Sequence, residues 1–171
     1  MIFVTVGVRK YPFNRLFKEL DELVEKGVIK EEIFAQIGTS TYKPKNYQFV
    51  EYISQEEFQE KIDLSDIVIS HGASGSIMRA LNSKKKVIAV TRLHEYGEHI
   101  DNHQISINKA FGNNGYVAPV INLSELSEVY QKLITNKIKL KPWSNNEPMM
   151  LVNEIDAFIQ QTWNTDKFKR R

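Results

Sequence analysis

The sequence predicts an α/β fold with a Rossmann-like, mostly parallel sheet and helices on both of its faces. Short apolar segments alternate with helical segments of ten or more residues along almost the whole chain, which is the pattern of βαβ units. The length of 171 residues fits one domain, and a hydrophobic fraction of 42% is enough for a buried core. Ligands of such sheets bind outside the carboxyl ends of the strands.

The first half of the chain contains three predicted strands and two predicted helices. The first helix begins at Pro12, and its apolar residues recur at helical spacing until Gly27 stops the run. Ser54 is predicted to cap a second, short helix. The predicted strands are residues 2–6, 33–37 and 48–53.

The second half continues the alternation. The clearest strand ends at Ser70 and runs directly into a glycine-rich turn, after which a helix carries Ile77. A further helix is predicted over residues 100–111, and Ser124 is predicted to cap another that ends at about Thr135. The predicted strands of this half are residues 66–70, 87–90 and 117–120.

We interpret the chain as one domain, residues 1–171, with a Rossmann-like core and a C-terminal extension. The core covers residues 1–140. Residues 143–171 contain an amphipathic helix over 147–163, whose apolar stripe is expected to pack on the domain or on a partner, and a basic tail. The tail is expected near the inner leaflet of a membrane.

Composition excludes several classes of protein. The formal net charge of +2 does not indicate a nucleic-acid binder. The absence of cysteine excludes a disulfide framework and a thiolate nucleophile, and it fits a reducing compartment. Met1 opens into an apolar run without a basic signal region, and no window approaches a membrane-spanning length. A cytoplasmic location is the expectation.

The turn at residues 71–76, here called the glycine-serine turn, is the first candidate site. Its glycines let backbone N–H groups approach a ligand, and the helix that begins near Ser74 directs its positive end toward the strand edge. His71 and Ser76 are the candidates for hydrogen bonds to a diphosphate. An NAD site is not expected, because the first strand ends in Gly7-Val8-Arg9 and not in G-x-G-x-x-G.

The second candidate site is the polar segment 92–104, which contains three of the four histidines. Carboxylate, amide and imidazole groups are the side chains that recognise sugar hydroxyls. A metal site through His99 and His103 is the alternative, but Ile100 replaces the Glu of H-E-x-x-H and no third ligand is evident. We expect no metal and no other cofactor.

These segments resemble the C-terminal domain of glycosyltransferase family 28. The similarity lies in Val68 to Leu81, in Arg92-Leu93, in Gly97-Glu98-His99 and in Asp101 to Gln104, and it covers about residues 1–120. The opening Phe3 to Gly7 and the segment Pro12 to Leu16 resemble the small one-domain members. Those members are PssE/EpsF-like exopolysaccharide and capsule transferase subunits, and the cytosolic subunit of the split dolichol-linked N-acetylglucosaminyltransferase.

The resemblance implies the donor half of a GT-B fold, which binds a UDP-sugar without a metal. His71 and the hydroxyl residues after it would meet the diphosphate and stabilise the leaving group, Gly7 would face the phosphates, and residues of segment 92–104 would meet the sugar. The expected donor-binding residues are Gly7, His71, Gly72, Ser74, Gly75, Ser76, Arg79, Arg92, Glu98, His103 and Gln104.

Two residues depart from the family pattern. Many relatives have Glu where this chain has Arg79, and its carboxylate grips the ribose hydroxyls, which Arg cannot do. Val8 replaces a threonine near the phosphates. These departures motivate an alternative interpretation as a non-catalytic UDP-sugar-binding regulatory module, and a nucleotide-sugar epimerase or hydrolase is a second one.

The resemblance also implies a partner. A complete GT-B enzyme has two halves, so the acceptor site is expected on a membrane-anchored PssD-like subunit that binds a lipid-linked saccharide. The general base is expected on that subunit too, and the chain is expected at the inner face of the membrane through it. The expected reaction is an inverting hexosyl transfer in exopolysaccharide or capsule biosynthesis.

Overall fold

A six-stranded parallel sheet forms the centre of the computed structural model, which describes residues 1–144. The strands lie in the order β3-β2-β1-β4-β5-β6, and every neighbouring pair is parallel. The order reverses between β1 and β4, where ligands of such sheets bind. The strands are β1 (Ile2–Thr5), β2 (Ile33–Gln36), β3 (Gln48–Val50), β4 (Ile67–Ser70), β5 (Lys86–Val90) and β6 (Ala118–Val120).

Helices cover both faces of the sheet. Side chains of β1 alternate between the faces: Val4 packs in one core cluster with Leu16 and Tyr130, and Phe3 packs in the other with Ile77. The helices are α1 (Asn14–Glu25), α2 (Gln55–Leu64), α3 (Ser74–Asn82), α4 (His103–Asn113) and α5 (Leu126–Ile134). The first cluster thus joins α1 and α5 to the sheet, and the second joins α2 and α3.

Most predicted elements are confirmed, with shifts of a few residues at their ends. Ser54 caps α2 as predicted: its hydroxyl accepts the N–H of Glu57 at 3.1 Å, and the Glu57 carboxylate accepts the N–H of Ser54 at 2.9 Å. The helix expected from Pro12 begins at Asn14 instead, because the Phe13 N–H donates to the Ser40 hydroxyl at 2.9 Å.

Two helix starts in the second half were predicted wrongly. The helix expected from residue 100 begins at His103, because residues 97–102 form a folded loop. Ser124 does not cap a helix: it lies within a 3-10 turn, Leu123–Glu125, which leads directly into α5. Asn122 stands before this turn and donates to the Glu125 carboxylate at 3.3 Å.

The described chain ends beside α3, where the Trp143 indole N–H donates to Asn82 at 2.9 Å and its ring packs edge-on against Tyr116. The predicted amphipathic helix over 147–163 and the basic tail lie outside the described residues. None of the helices within residues 1–144 is long and apolar enough to cross a bilayer.

Candidate functional site

The loops that follow β1, β4 and β5 meet at the carboxyl edge of the sheet and enclose a cleft of about 440 Å³. This convergence was predicted, because parallel strands all end at the same edge. Of the eleven expected donor-binding residues, nine line the cleft, namely Gly7, His71, Ser74, Gly75, Ser76, Arg79, Arg92, His103 and Gln104. Gly72 and Glu98 do not.

The glycine-serine turn presents unsatisfied backbone donors to the cleft. Ala73 stands at the N-cap of α3 and has no side chain that can accept a hydrogen bond. Within residues 1–144, the N–H groups of Ser74, Gly75 and Ser76 have no acceptor. The Ser76 hydroxyl stabilises the turn: it donates to the Ala73 carbonyl at 3.1 Å and is hydrogen-bonded to the Ser70 hydroxyl at 2.7 Å. Three free N–H groups at a helix N-terminus can bind an anion.

The imidazole of His71 lies beneath this turn and is neutral. Its Nδ1 lies 3.2 Å from the Thr5 carbonyl oxygen, which can only accept, so Nδ1 carries the proton. Burial, followed by the nearby Arg92 cation, lowers the pKa of His71 to about 3. The ring donor that we expected to serve a diphosphate is therefore directed at the sheet. The His71 ring also leaves no room for a side chain at position 7, because a Cβ added to Gly7 would lie 2.9 Å from Cε1 of His71.

A neutral, buried His71 predicts a loss of stability as the pH falls. The unfolded imidazole takes up a proton near its usual pKa of 6.5, whereas the folded ring stays neutral down to about 3. Between these two pKa values only the unfolded state binds the extra proton. The free energy of unfolding therefore falls by at most about 1.4 kcal/mol for each unit by which the pH is lowered. Urea unfolding at about pH 7 and about pH 5 should show a smaller loss in His71→Asn than in wild type. Equal losses would contradict the assignment.

Arg92 places a positive charge at the base of the cleft. Its side chain is 1% exposed, and Nη2 donates to the carbonyls of Val6 and Tyr11, each at 2.9 Å. Burial lowers the pKa of Arg92 to about 10, with the Glu98 charge opposing the shift, so the guanidinium stays protonated at neutral pH. Within the described residues its Nε has no partner. Arg92 thus ties the loop after β1 to the loop after β5 and retains an unused donor.

Glu98 occupies a structural position, which differs from the sugar contact that we expected. Its carboxylate is 4% exposed and accepts Nε and Nη2 of Arg15, both at 2.7 Å, and the N–H of Leu93 at 3.1 Å. The Arg15 guanidinium also lies 4.0 Å above the Tyr96 ring. Because Arg15 and Leu93 together engage both carboxylate oxygens, Glu98 fastens the loop after β5 to α1.

The remaining polar residues of that loop converge at one end of the cleft. Gln104 is buried and its amide oxygen accepts the Arg92 N–H at 3.3 Å. The rings of His99 and His103 pack edge-to-face at 4.7 Å, with Asp101 beside both. Asp101 is the third potential metal ligand that the sequence analysis did not find, because its carboxylate and the two imidazoles offer ligand atoms within 4.8 Å of one another. Its Oδ1 is hydrogen-bonded to the backbone N–H and to the ring Nδ1 of His103, so hydrogen bonds account for the cluster. Metal independence stays a prediction.

The opposite end of the cleft was missed by sequence analysis. It is formed where β2 ends and α2 begins, and Phe58 lies below the Arg79 guanidinium at 5.5 Å. Gln36 could have been found, since it stands at the carboxyl end of a parallel strand. No local signal directs the first turn of α2 into the cleft. The residues that line this end of the cleft and were not expected from the sequence are Gln36, Ile53, Gln55 and Phe58.

Comparison with solved structures confirms the predicted fold. The solution structure of ALG13 matches with 22% identity and a TM-score of 0.58, covering 86% of this chain and 92% of that one. The UDP-GlcNAc 2-epimerase of Methanocaldococcus jannaschii, in complex with UDP-GlcNAc and UDP, matches with 13% identity and a TM-score of 0.58, covering 92% and 45%. The glycosyltransferase SnogD of Streptomyces nogalater matches with 18% identity and a TM-score of 0.55, covering 79% and 35%.

The chain spans less than half of the epimerase and of SnogD, so it corresponds to one half of such proteins. The observed sheet matches the C-terminal, Rossmann-like half of GT-B glycosyltransferases. No curated protein matches the sequence significantly. A family model described as the glycosyltransferase family 28 C-terminal domain matches residues 1–160, which include the whole cleft. The chain therefore belongs to the glycosyltransferase family 28 C-terminal domain family.

Proposed function

We propose that the chain is the donor-binding subunit of an inverting, metal-independent UDP-sugar glycosyltransferase. The observation that carries the proposal is the pairing of three free N–H groups at the start of α3 with the buried Arg92 cation in one cleft. A diphosphate needs fixed donors and positive charge, and these groups supply both without a metal. A departing UDP would be stabilised by the same groups.

The two ends of the cleft suggest how a nucleotide sugar lies in it. With the diphosphate at the glycine-serine turn, the apolar end with Ile53 and Phe58 suits a nucleoside base. The other end, with His103 and Gln104, suits a sugar because amide and imidazole groups bind hydroxyls. Arg79 would then lie beside the nucleoside. The similar epimerase fold in complex with UDP-GlcNAc and UDP supports a nucleotide-sugar ligand.

The acceptor is proposed to come with a second subunit. The chain supplies one Rossmann-like half and matches ALG13 over 92% of that chain. We propose a membrane-anchored, PssD-like partner that presents a lipid-linked saccharide across the open side of the cleft, in exopolysaccharide or capsule biosynthesis. This assignment depends on the resemblance to the small one-domain subunits.

Gly75→Ala tests the proposal. Gly75 lies in the first turn of α3 with an ordinary φ, and a Cβ added there meets no protein atom within 4 Å. The variant should therefore fold as well as wild type, and alanine favours the helix by about 0.5–1 kcal/mol. The added methyl group would project into the space that a diphosphate needs. We expect UDP affinity, measured by calorimetric titration, to fall at least about tenfold.

Uridine is the matched control ligand, because it lacks the phosphates. Its binding should differ little between wild type and Gly75→Ala. Equal UDP affinity in the two proteins would contradict a diphosphate at the glycine-serine turn.

A transfer assay with UDP-sugar, lipid-linked acceptor and the membrane-anchored subunit separates a catalytic subunit from a binding module, which would bind UDP but support no transfer. Arg79 and Val8, both lining the cleft, are the residues that favour the module.

A further inference from the structure

His103 and Asp101 form a hydrogen-bonded pair at the sugar end of the cleft. The Asp101 carboxylate is hydrogen-bonded to the ring Nδ1 of His103 and also accepts the backbone N–H of His103 at 3.0 Å. These bonds lower the pKa of Asp101, so it is a carboxylate at neutral pH. A carboxylate accepts only, so in the neutral imidazole of His103 the proton lies on Nδ1 and Nε2 has a lone pair.

Asp101 lies between the two histidines, and its closer contact is with His103. The Nδ1 atom of His99 lies 3.3 Å from Oδ1 of Asp101 and accepts the Asp101 backbone N–H at 3.4 Å. The His99 ring is buried between Tyr11 and His103 and holds the His103 ring edge-to-face. Arg9 and Arg92 line the same cleft from the loops after β1 and β5. Within residues 1–144, no group bonds Nε2 of His103.

His103 is the imidazole of the cleft that an incoming acceptor can reach. Its side chain is 52% exposed, whereas His71 and His99 are buried. It lines the cleft beside Gln104, at the end that we propose holds the sugar, so an acceptor hydroxyl that enters the cleft at that end would come within its reach. An oriented imidazole with a free Nε2 is the arrangement that general-base catalysis requires.

We propose that His103, oriented by Asp101, is the general base of the transfer, so that this chain and not its partner takes the acceptor proton. The inference rests on the proposed function. The acceptor hydroxyl oxygen forms a bond to the anomeric carbon, and the bond from that carbon to the β-phosphate oxygen breaks with its electron pair leaving on UDP. The hydroxyl proton moves to Nε2, and the Asp101 carboxylate stabilises the imidazolium. His103 is the catalytic residue and Asp101 is a positioning residue.

The test compares His103→Gln with wild type in the complex with the membrane-anchored subunit, using UDP-sugar and lipid-linked acceptor. Glutamine keeps a polar side chain that can hydrogen-bond to a hydroxyl, but it cannot take up a proton. We expect kcat to fall about 100-fold, within the range for general-base catalysis, while the Kd for UDP-sugar changes less than about threefold. His94→Gln is the matched control, because His94 is exposed and lies outside the cleft.

Two further variants separate catalysis from structure. His103→Ala should regain turnover with added imidazole, which a purely structural histidine would not do. Asp101→Asn should lower kcat and leave the Kd for UDP-sugar unchanged, and imidazole should not rescue it. If wild type transfers sugar and His103→Gln retains its kcat, the inference is overturned and the proposed function stands. If wild type transfers no sugar to the acceptor, the proposed function fails and the inference fails with it.

Discussion

Replacing Arg15 by methionine is expected to lower the free energy of unfolding by about 3 kcal/mol. The substitution removes the ion-pair partner of the Glu98 carboxylate, which is 4% exposed, and leaves it only the more distant Arg92 cation. Removing one partner of a buried ion pair typically costs about 3–5 kcal/mol, and the lower end applies here because Arg15 itself is 28% exposed. Urea unfolding of the purified variant measures the loss.

The companion change Glu98→Gln decides whether the buried charge is the cause. In Arg15→Met/Glu98→Gln the buried carboxylate without an ion-pair partner is gone, and the glutamine oxygen can still accept the Leu93 N–H. Most of the lost stability should therefore return. Glu95→Gln, an exposed acid in the same loop, should have little effect. A double variant as unstable as Arg15→Met would show that the buried charge of Glu98 is not the cause of the lost stability.

Gly72→Ala is expected to have the second large effect, on stability and on ligand binding together. Gly72 has φ +77°, and an added Cβ would lie 2.7 Å from Nδ2 of Asn108. Asn108 cannot yield easily, because Nδ2 donates to the Ala89 carbonyl at 3.3 Å and to the Thr91 hydroxyl at 2.8 Å. Backbone strain of about 1 kcal/mol and overpacking of about 2 kcal/mol add to roughly 3 kcal/mol.

The displaced turn carries the free N–H groups of α3, so UDP affinity should also fall at least about tenfold, as measured by titration. Gly27→Ala is the matched control: its φ is +68°, but nothing lies within 4 Å of an added Cβ, so it should cost only the backbone strain of about 1 kcal/mol. The difference between the two variants measures the clash with Asn108. Equal losses of stability would show that the clash contributes nothing.

The sequence was a good guide to the glycine-serine turn because every signal for it is local. The apolar strand, the glycine and the small residues that begin α3 are consecutive, and each acts through backbone conformation. The role expected for His71 was less accurate. Its neighbours in the chain do not reveal that Nδ1 faces the carbonyl of Thr5, which lies 66 positions earlier.

The same contrast separates Glu98 from Gln104. Both stand in a polar segment whose composition suits sugar binding, and both were expected to meet the donor. The fold places Gln104 in the cleft, whereas it turns Glu98 toward Arg15, which lies 83 positions away. Composition indicates which chemistry a segment can perform, but it does not indicate which of its side chains faces the ligand.

The amino-acid sequence alone determined the order of strands and helices, the family, and the loop edge where a ligand binds, because hydrophobic periodicity, turn residues and short motifs act over a few neighbouring positions. The tertiary structure decided the protonation of His71, the burial of Glu98, the close packing of Gly72 against Asn108 and the pairing of His103 with Asp101. These properties depend on desolvation and on contacts that packing creates, most of them between residues far apart in the chain.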